Sequence, residues 1–168
     1  MIQHLFSQQK VFSLVEDFTF FNEQQQPIFR ARGNFFAFPK QYKMYDSSSM
    51  DNPIIIIRRK FFAFMPTFTI MDARNNNQVL FTVRRRFRLG RPIFDIATPH
   101  GNYLIDGNLI GHDFAIINPN GQQIIEVRKR FLTWGDTYDI AIDTSQIPLH
   151  VAAAIKLTID CALHSNNR

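Results

Sequence analysis

Four short runs carry most of the charge chemistry in this sequence: Arg30-Ala31-Arg32, Arg58-Arg59-Lys60, Arg84-Arg85-Arg86 and Arg128-Lys129-Arg130. Guanidinium forks match the oxygen geometry of phosphates, and an ammonium adds a compact point charge. Alternation along an extended strand sorts the runs into two sets. Arg59 shares a face with Ile55, Ile57 and Phe61, Arg85 with Phe81, Val83 and Phe87, and Lys129 with Ile125, Val127 and Phe131. Those three cations are expected at the mouth of a core. The flanking Arg30, Arg32, Arg58, Lys60, Arg84, Arg86, Arg128 and Arg130 point the other way and are expected to form an outer basic belt near one rim. The belt reads either as a docking surface for phosphates or as strand-end solubility and edge protection. A formal net charge of +5 favours anionic partners in either case.

Other reactive residues are scattered. There is no Gly-x-Ser-x-Gly, Gly-x-Gly-x-x-Gly or Walker-type loop. The histidines (His4, His100, His112, His150, His164) share no metal-ligand spacing. Asp106, His112 and Asp113 are near in sequence, but a histidine between carboxylates in a turn-rich segment is weak support for acid–base work. Cys161 is the single cysteine, which excludes an internal disulfide, suggests a reducing compartment and reads as inert packing in an apolar helix. Trp134 reads as a core or mouth-plugging ring, with insertion into a bilayer interface as the alternative. Asp136 and Asp139 read as strand-end residues. The expectation is a non-enzymatic protein with no cofactor and no metal.

The elements that must position these cations are β-hairpins. Four units share one pattern: an alternating strand ending in Asp or Asn, a polar turn, a second strand, a basic cluster, then Phe. They begin at Phe18, Tyr42, Phe68 and Phe114, and a degenerate unit from Phe94 to Asp106 fills the gap. Turns such as Asn22 to Pro27, Asp72 to Gln78 and Asn118 to Gln122 are polar links between β-branched and aromatic runs. A leading strand around Lys10 to Leu14 and a last one over Tyr138 to Ile142 bring the total to about twelve. Residues 1–168 are expected to form a single domain. Residues 1–6 lack the basic and apolar runs of a signal peptide, so a cytoplasmic location is expected.

The run from Leu149 to Leu163 is apolar nearly all round a helical wheel, so it is buried on every side or lies in a membrane. It is too short and too interrupted by His150, Lys156, Thr158 and Asp160 to span a bilayer. Lys156 and Asp160 are spaced to pair and are expected exposed at one end of the helix. Asp143, Thr144 and Ser145 are candidate N-caps, Pro148 fits the first turn, and residues 164–168 read as a solvated end. Twelve strands enclose a bore too wide for side chains alone, and a helix roughly 10–12 Å across would fill it. The expected fold is mainly β: a closed antiparallel barrel of about twelve strands enclosing a hydrophobic C-terminal α-helix.

The repeated hairpin closed by a basic cluster and Phe resembles the LURP-one-related family of the Tubby C-terminal-like superfamily. Arg59-Lys60-Phe61-Phe62-Ala63-Phe64, the run Phe131-Leu132-Thr133-Trp134-Gly135-Asp136-Thr137-Tyr138 and the closing Ala/Ile helix with Asp160 carry the resemblance. It implies a twelve-stranded barrel around a central C-terminal helix, with relatives that include phosphoinositide-binding tubby-type domains and phospholipid scramblases. By that analogy the expected function is a binding module for anionic phospholipid headgroups or another phosphate-bearing ligand, peripheral at the membrane without a transmembrane segment. The alternative is a nucleic-acid or acidic-protein partner on the same belt. An enzyme with a site at the barrel mouth ranks last. Nucleic acid is disfavoured because the Phe positions fall mostly on the inward face, away from bases that would stack on them.

Overall fold

The computed structural model describes residues 1–12, 15–34, 39–61, 63–130 and 137–164. Twelve strands run in order: β1 (Ile2–Phe12), β2 (Val15–Phe21), β3 (Pro27–Asn34), β4 (Gln41–Asp46), β5 (Ile55–Arg59), β6 (Thr67–Asp72), β7 (Gln78–Arg88), β8 (Arg91–Thr98), β9 (Gly101–Asn108), β10 (Asp113–Ile117), β11 (Gln123–Arg130) and β12 (Thr137–Asp143). Each pairs antiparallel with its neighbours in sequence, and β1 pairs with β12 to close a barrel, which abolishes sheet edges. Inward positions are apolar, among them Met44, Ile55, Ile57, Ile70, Val83, Ile96, Ile116, Val127 and Ile140. Gly33 faces Tyr42 across the β3–β4 ladder, and a Cβ there would lie 2.3 Å from the Tyr42 ring, so glycine is what lets that ring cross β3. β1 starts at Ile2, well before the expected leading strand, and residues 13–14 lie outside the described residues.

The final element, α1 (Leu149–His164), runs through the bore and packs most closely on β5, β6 and β7. Residues 151–162 are all buried, as a helix apolar on every side requires. The polar pair on it departs from expectation. Lys156 is 1% exposed, Asp160 is also buried, and the two pair inside the barrel instead of at its surface. A buried ammonium survives only with compensation, and the Tyr138 ring supplies more of it, 3.9 Å from the Lys156 Nζ. The helix is not capped by Asp143, Thr144 or Ser145. The Asp143 carboxylate accepts the Ser145 N–H and winds the preceding turn, while the Pro148 carbonyl takes the first helical hydrogen bonds from Val151 and Ala152.

Strand direction gives the barrel two chemically different ends. The even-to-odd links and the start of α1 lie at one, here called the polar end. The odd-to-even links lie at the other, the basic end. At the polar end the last residues of β2, β4, β6 and β12 and those beside them explain the Asp/Asn pattern of the repeat. Asn22, Asp46, Asp72, Asn118 and Asp143 each accept a backbone N–H within the following turn through a side-chain oxygen, at 2.9 to 3.1 Å. Thr98 does the same for His100 after β8, at 3.1 Å.

Candidate functional site

The eight outward cations are all exposed, as strand alternation requires. Half of them are paired. Arg32 pairs with Asp17 at 3.7 Å and Arg128 with Glu126 at 2.7 Å. Arg86 grips the Asp95 carboxylate through two hydrogen bonds of 2.5 and 2.6 Å. Arg130 reaches Asp139 at 3.1 Å and lies 4.4 Å above the Phe6 ring, and Asp139 also holds His4. These four are committed to neighbours on the barrel wall. Arg30, Arg58, Lys60 and Arg84 have no carboxylate partner among the described residues.

Register gathers three of those four into one sector. Arg58 stands opposite Thr69, Thr69 opposite Thr82, and Thr67 opposite Arg84. The Lys60 amide donates to the Thr67 carbonyl, which sets Lys60 in the same row as Arg84. Asp95 faces Arg84 in the ladder, but its carboxylate is turned to Arg86. The sector continues into Arg88 and Arg91 at the tip of the β7–β8 hairpin, both exposed. Arg30 and Arg32 sit apart on β3, and Arg128 and Arg130 are carried by β11, four strands beyond β7.

The inward cations behave differently from one another. Arg85 turns into the bore and donates to the last carbonyls of α1, Ala162 at 2.6 Å and Leu163 at 3.1 Å. Helix C-terminal carbonyls lack intrahelical partners and carry partial negative charge, so a guanidinium is a matched cap. Burial draws the Arg85 pKa below its usual value. Arg59 and Lys129 are half-buried. Two further polar groups ring the helix end. The His112 Nδ1 lies 3.7 Å from Asp160, with its ring 4.5 Å from that of Tyr138. The Tyr42 hydroxyl bonds Glu16, which also takes Lys40 at 3.3 Å. Burial first, then the nearby Cys161 and Glu16, pushes the Tyr42 hydroxyl pKa up. Burial likewise pushes the Cys161 thiol up, so it stays protonated and a poor nucleophile. Asp106 and Asp113 are exposed on the wall, and His112 faces the bore between them. Among the described residues no three His, Cys, Asp or Glu side chains converge on a metal-sized site.

Strand alternation does not identify which apolar residues are exposed at this end. Alternation puts Phe61 and Phe87 inside, yet both are about half exposed. Arg85 marks the end of α1, and Phe87 lies beyond it, where no core remains to cover the ring. Phe64 in the β5–β6 link, Leu89 at the β7–β8 tip and Ile110 in the β9–β10 turn are exposed more fully. A groove of about 520 Å³ runs between the last two tips, lined by Arg91, Pro92, Gly107, Asn108, Leu109 and Ile110. Trp134, Asp136, Phe35 and Phe131 lie outside the described residues, as do residues 165–168. Most other phenylalanines among the described residues face inward as expected, including Phe18, Phe20, Phe29, Phe68, Phe81, Phe94 and Phe114.

Comparison with known proteins bears on the whole barrel. A sequence profile described as LURP-one-related matches residues 3–160. A protein from Arabidopsis thaliana, solved by X-ray crystallography, superposes with a TM-score of 0.66 over 94% of this chain and 90% of its own, at 10% identity. That likeness is one of fold. No curated protein matches by sequence. No helix among the described residues is long and apolar enough to cross a membrane.

Proposed function

This chain belongs to the LURP-one-related family, and from that premise we propose that it is a non-enzymatic module that binds the phosphate-bearing headgroups of anionic phospholipids, as a peripheral protein of the cytoplasm. The observation that carries this reading is the cluster Arg58, Lys60 and Arg84, three outward cations brought together on β5–β7 with no carboxylate to neutralise them among the described residues. Guanidinium and ammonium groups in such a row offer several donors to one phosphate. The other half of the expected belt contributes less, because Arg32, Arg86, Arg128 and Arg130 already hold carboxylates.

Co-sedimentation with vesicles tests the reading. The protein is expected to bind phosphatidylserine-containing vesicles, to ignore phosphatidylcholine, and to lose affinity as salt rises. Arg58→Glu with Arg84→Glu is expected to abolish binding, and Arg86→Glu with Arg128→Glu to weaken it much less. Equal binding to neutral vesicles, or none to either, overturns it. A salt-sensitive mobility shift with an oligonucleotide in the absence of vesicle binding would move the assignment to nucleic acid.

A further inference from the structure

The β7–β8 hairpin closes on a two-residue turn, Leu89-Gly90, between Arg88 and Arg91. Both turn residues have positive φ, 50° and 76°. That primed geometry suits right-twisted strands and favours Asn-Gly or Asp-Gly. Here its first position holds leucine, in a backbone region that crowds its Cβ. Leu89 is also 95% exposed. Arg88 and Arg91 stand directly opposite each other, a like-charge cross-strand pair that opposes pairing, with no carboxylate partner among the described residues. Strain, exposure and repulsion thus coincide in four consecutive residues. Departures of this kind mark positions kept for a partner and not for the fold.

The flanking tips share the chemistry. Phe64, 98% exposed, stands in the β5–β6 link that Lys60 begins, and Ile110, 68% exposed, tops the β9–β10 turn across the groove from Arg91. The most exposed apolar side chains here stand one to a tip, with Phe61 and Phe87 half-exposed behind Phe64 and Leu89, and Lys60, Arg88 and Arg91 are carried on the same two links. A folded protein partner calls for a contiguous packed patch, whereas single anchors among cations suit a fluid anionic surface. Resting on the anionic-lipid reading above, we propose that the β7–β8 tip inserts into the interface of an anionic bilayer. Leu89 enters the acyl boundary, Arg88 and Arg91 share phosphate oxygens of the surrounding lipids, and Phe64 and Ile110 enter as flanking anchors. Exposure and repulsion then change sign: the leucine is covered, and an anion bridges the two guanidinium groups.

Leu89→Asn separates this role from folding. Asparagine accepts the left-handed region readily, so the thermal midpoint is expected to hold or rise. Affinity for phosphatidylserine vesicles is expected to fall about tenfold or more, from the lost burial of one leucine. A second measurement reads insertion directly. Cys161 is buried, so an environment-sensitive fluorophore on Leu89→Cys labels the tip alone. Its emission is expected to shift to the blue on anionic vesicles and not on neutral ones, and the same probe on Asn76→Cys at the polar end to stay unchanged. If wild-type protein binds anionic vesicles but Leu89→Asn binds equally, or the probe at position 89 keeps its aqueous spectrum while bound, insertion is wrong and headgroup binding stands. If wild-type protein binds no anionic vesicles, both fall.

Discussion

At the polar end, six strands finish on or just before a residue whose side-chain oxygen winds the next turn, and the left-handed positions there are filled by Gln25, Asn76, Asn77, Gly101 and Gly121. At the basic end the left-handed positions include Leu89 and His112, single apolar side chains stand in solvent, and cations face each other. One end is held by short-range hydrogen bonds that follow local preference. The other has one such turn, where Asn108 accepts the Gly111 N–H at 3.0 Å, and is otherwise held from inside, by side chains of distant strands closing on the end of α1. The contrast teaches that local consistency is concentrated where the barrel only has to turn, while the end that departs from it is the one offering charges and apolar tips to a partner.

The comparison breaks first at Lys156. Its ammonium lies on the half of the helix nearer the basic end, between Asp160 and the Tyr138 ring. Lys156→Met takes the ammonium away from the buried Asp160 carboxylate, which is expected to cost roughly 3–5 kcal/mol, read as a fall in the urea midpoint with unchanged m. A loss under about 1 kcal/mol would mean that this end does not depend on its interior charges. Arg85→Met comes next. It removes two charge-assisted hydrogen bonds from the helix end, expected at about 1.5–3 kcal/mol. Amide exchange should quicken in the last turn of α1 before it does elsewhere.

The polar end sharpens the comparison from the other side. Asn118 accepts from the amides of Asn120 and Gln122, both at 3.0 Å, and donates to Gln122 Oε1 at 2.9 Å. Asn118→Ala is expected to cost about 1–2 kcal/mol, in the range of a lost cap with buried partners. Faster exchange should stay confined to the β10–β11 turn. If Asn118→Ala destabilised as much as Lys156→Met, the division between locally wound and internally pinned ends would be wrong.

Much of the barrel was legible because its signals are local. Alternation, the Asp or Asn at strand ends and the polar turns lie within a few residues of one another, and a helix apolar on every side has few places to go. The burial of Lys156 and Asp160 was not legible: an i, i+4 pair reads the same on a surface or in a bore, and what admits it inside, Tyr138 and His112, comes from distant strands. Alternation did turn Arg85 inward, but its target exists only once α1 fills the barrel. The pairing within the belt was hidden for the same reason, since Asp17, Asp95 and Asp139 find their arginines through register. The exposed tips left one faint signal, a leucine before glycine where a hairpin prefers asparagine.

The smallest expected effect is a pH dependence at the start of the helix. The His150 Nε2 lies 3.0 Å from the Arg74 Nη2, a contact in which a neutral imidazole accepts from the guanidinium, and its ring packs edge-on against Phe29. Burial first, then the charge of Arg74, lowers the His150 pKa from 6.5, with Asp72 opposing them. Above pH 6.5 the folded and unfolded chains both carry neutral imidazole, and the stability is fully present. As pH falls below 6.5 the unfolded chain takes up the proton first, so stability is lost until pH passes the lower folded pKa, and no further loss from this group follows. His150→Gln removes that titration. The urea midpoint of wild-type protein is therefore expected to drop more than that of the variant between pH 7.5 and 5.5. Equal slopes would show that protonated His150 is tolerated beside Arg74, and that the polar end rests on its turns alone.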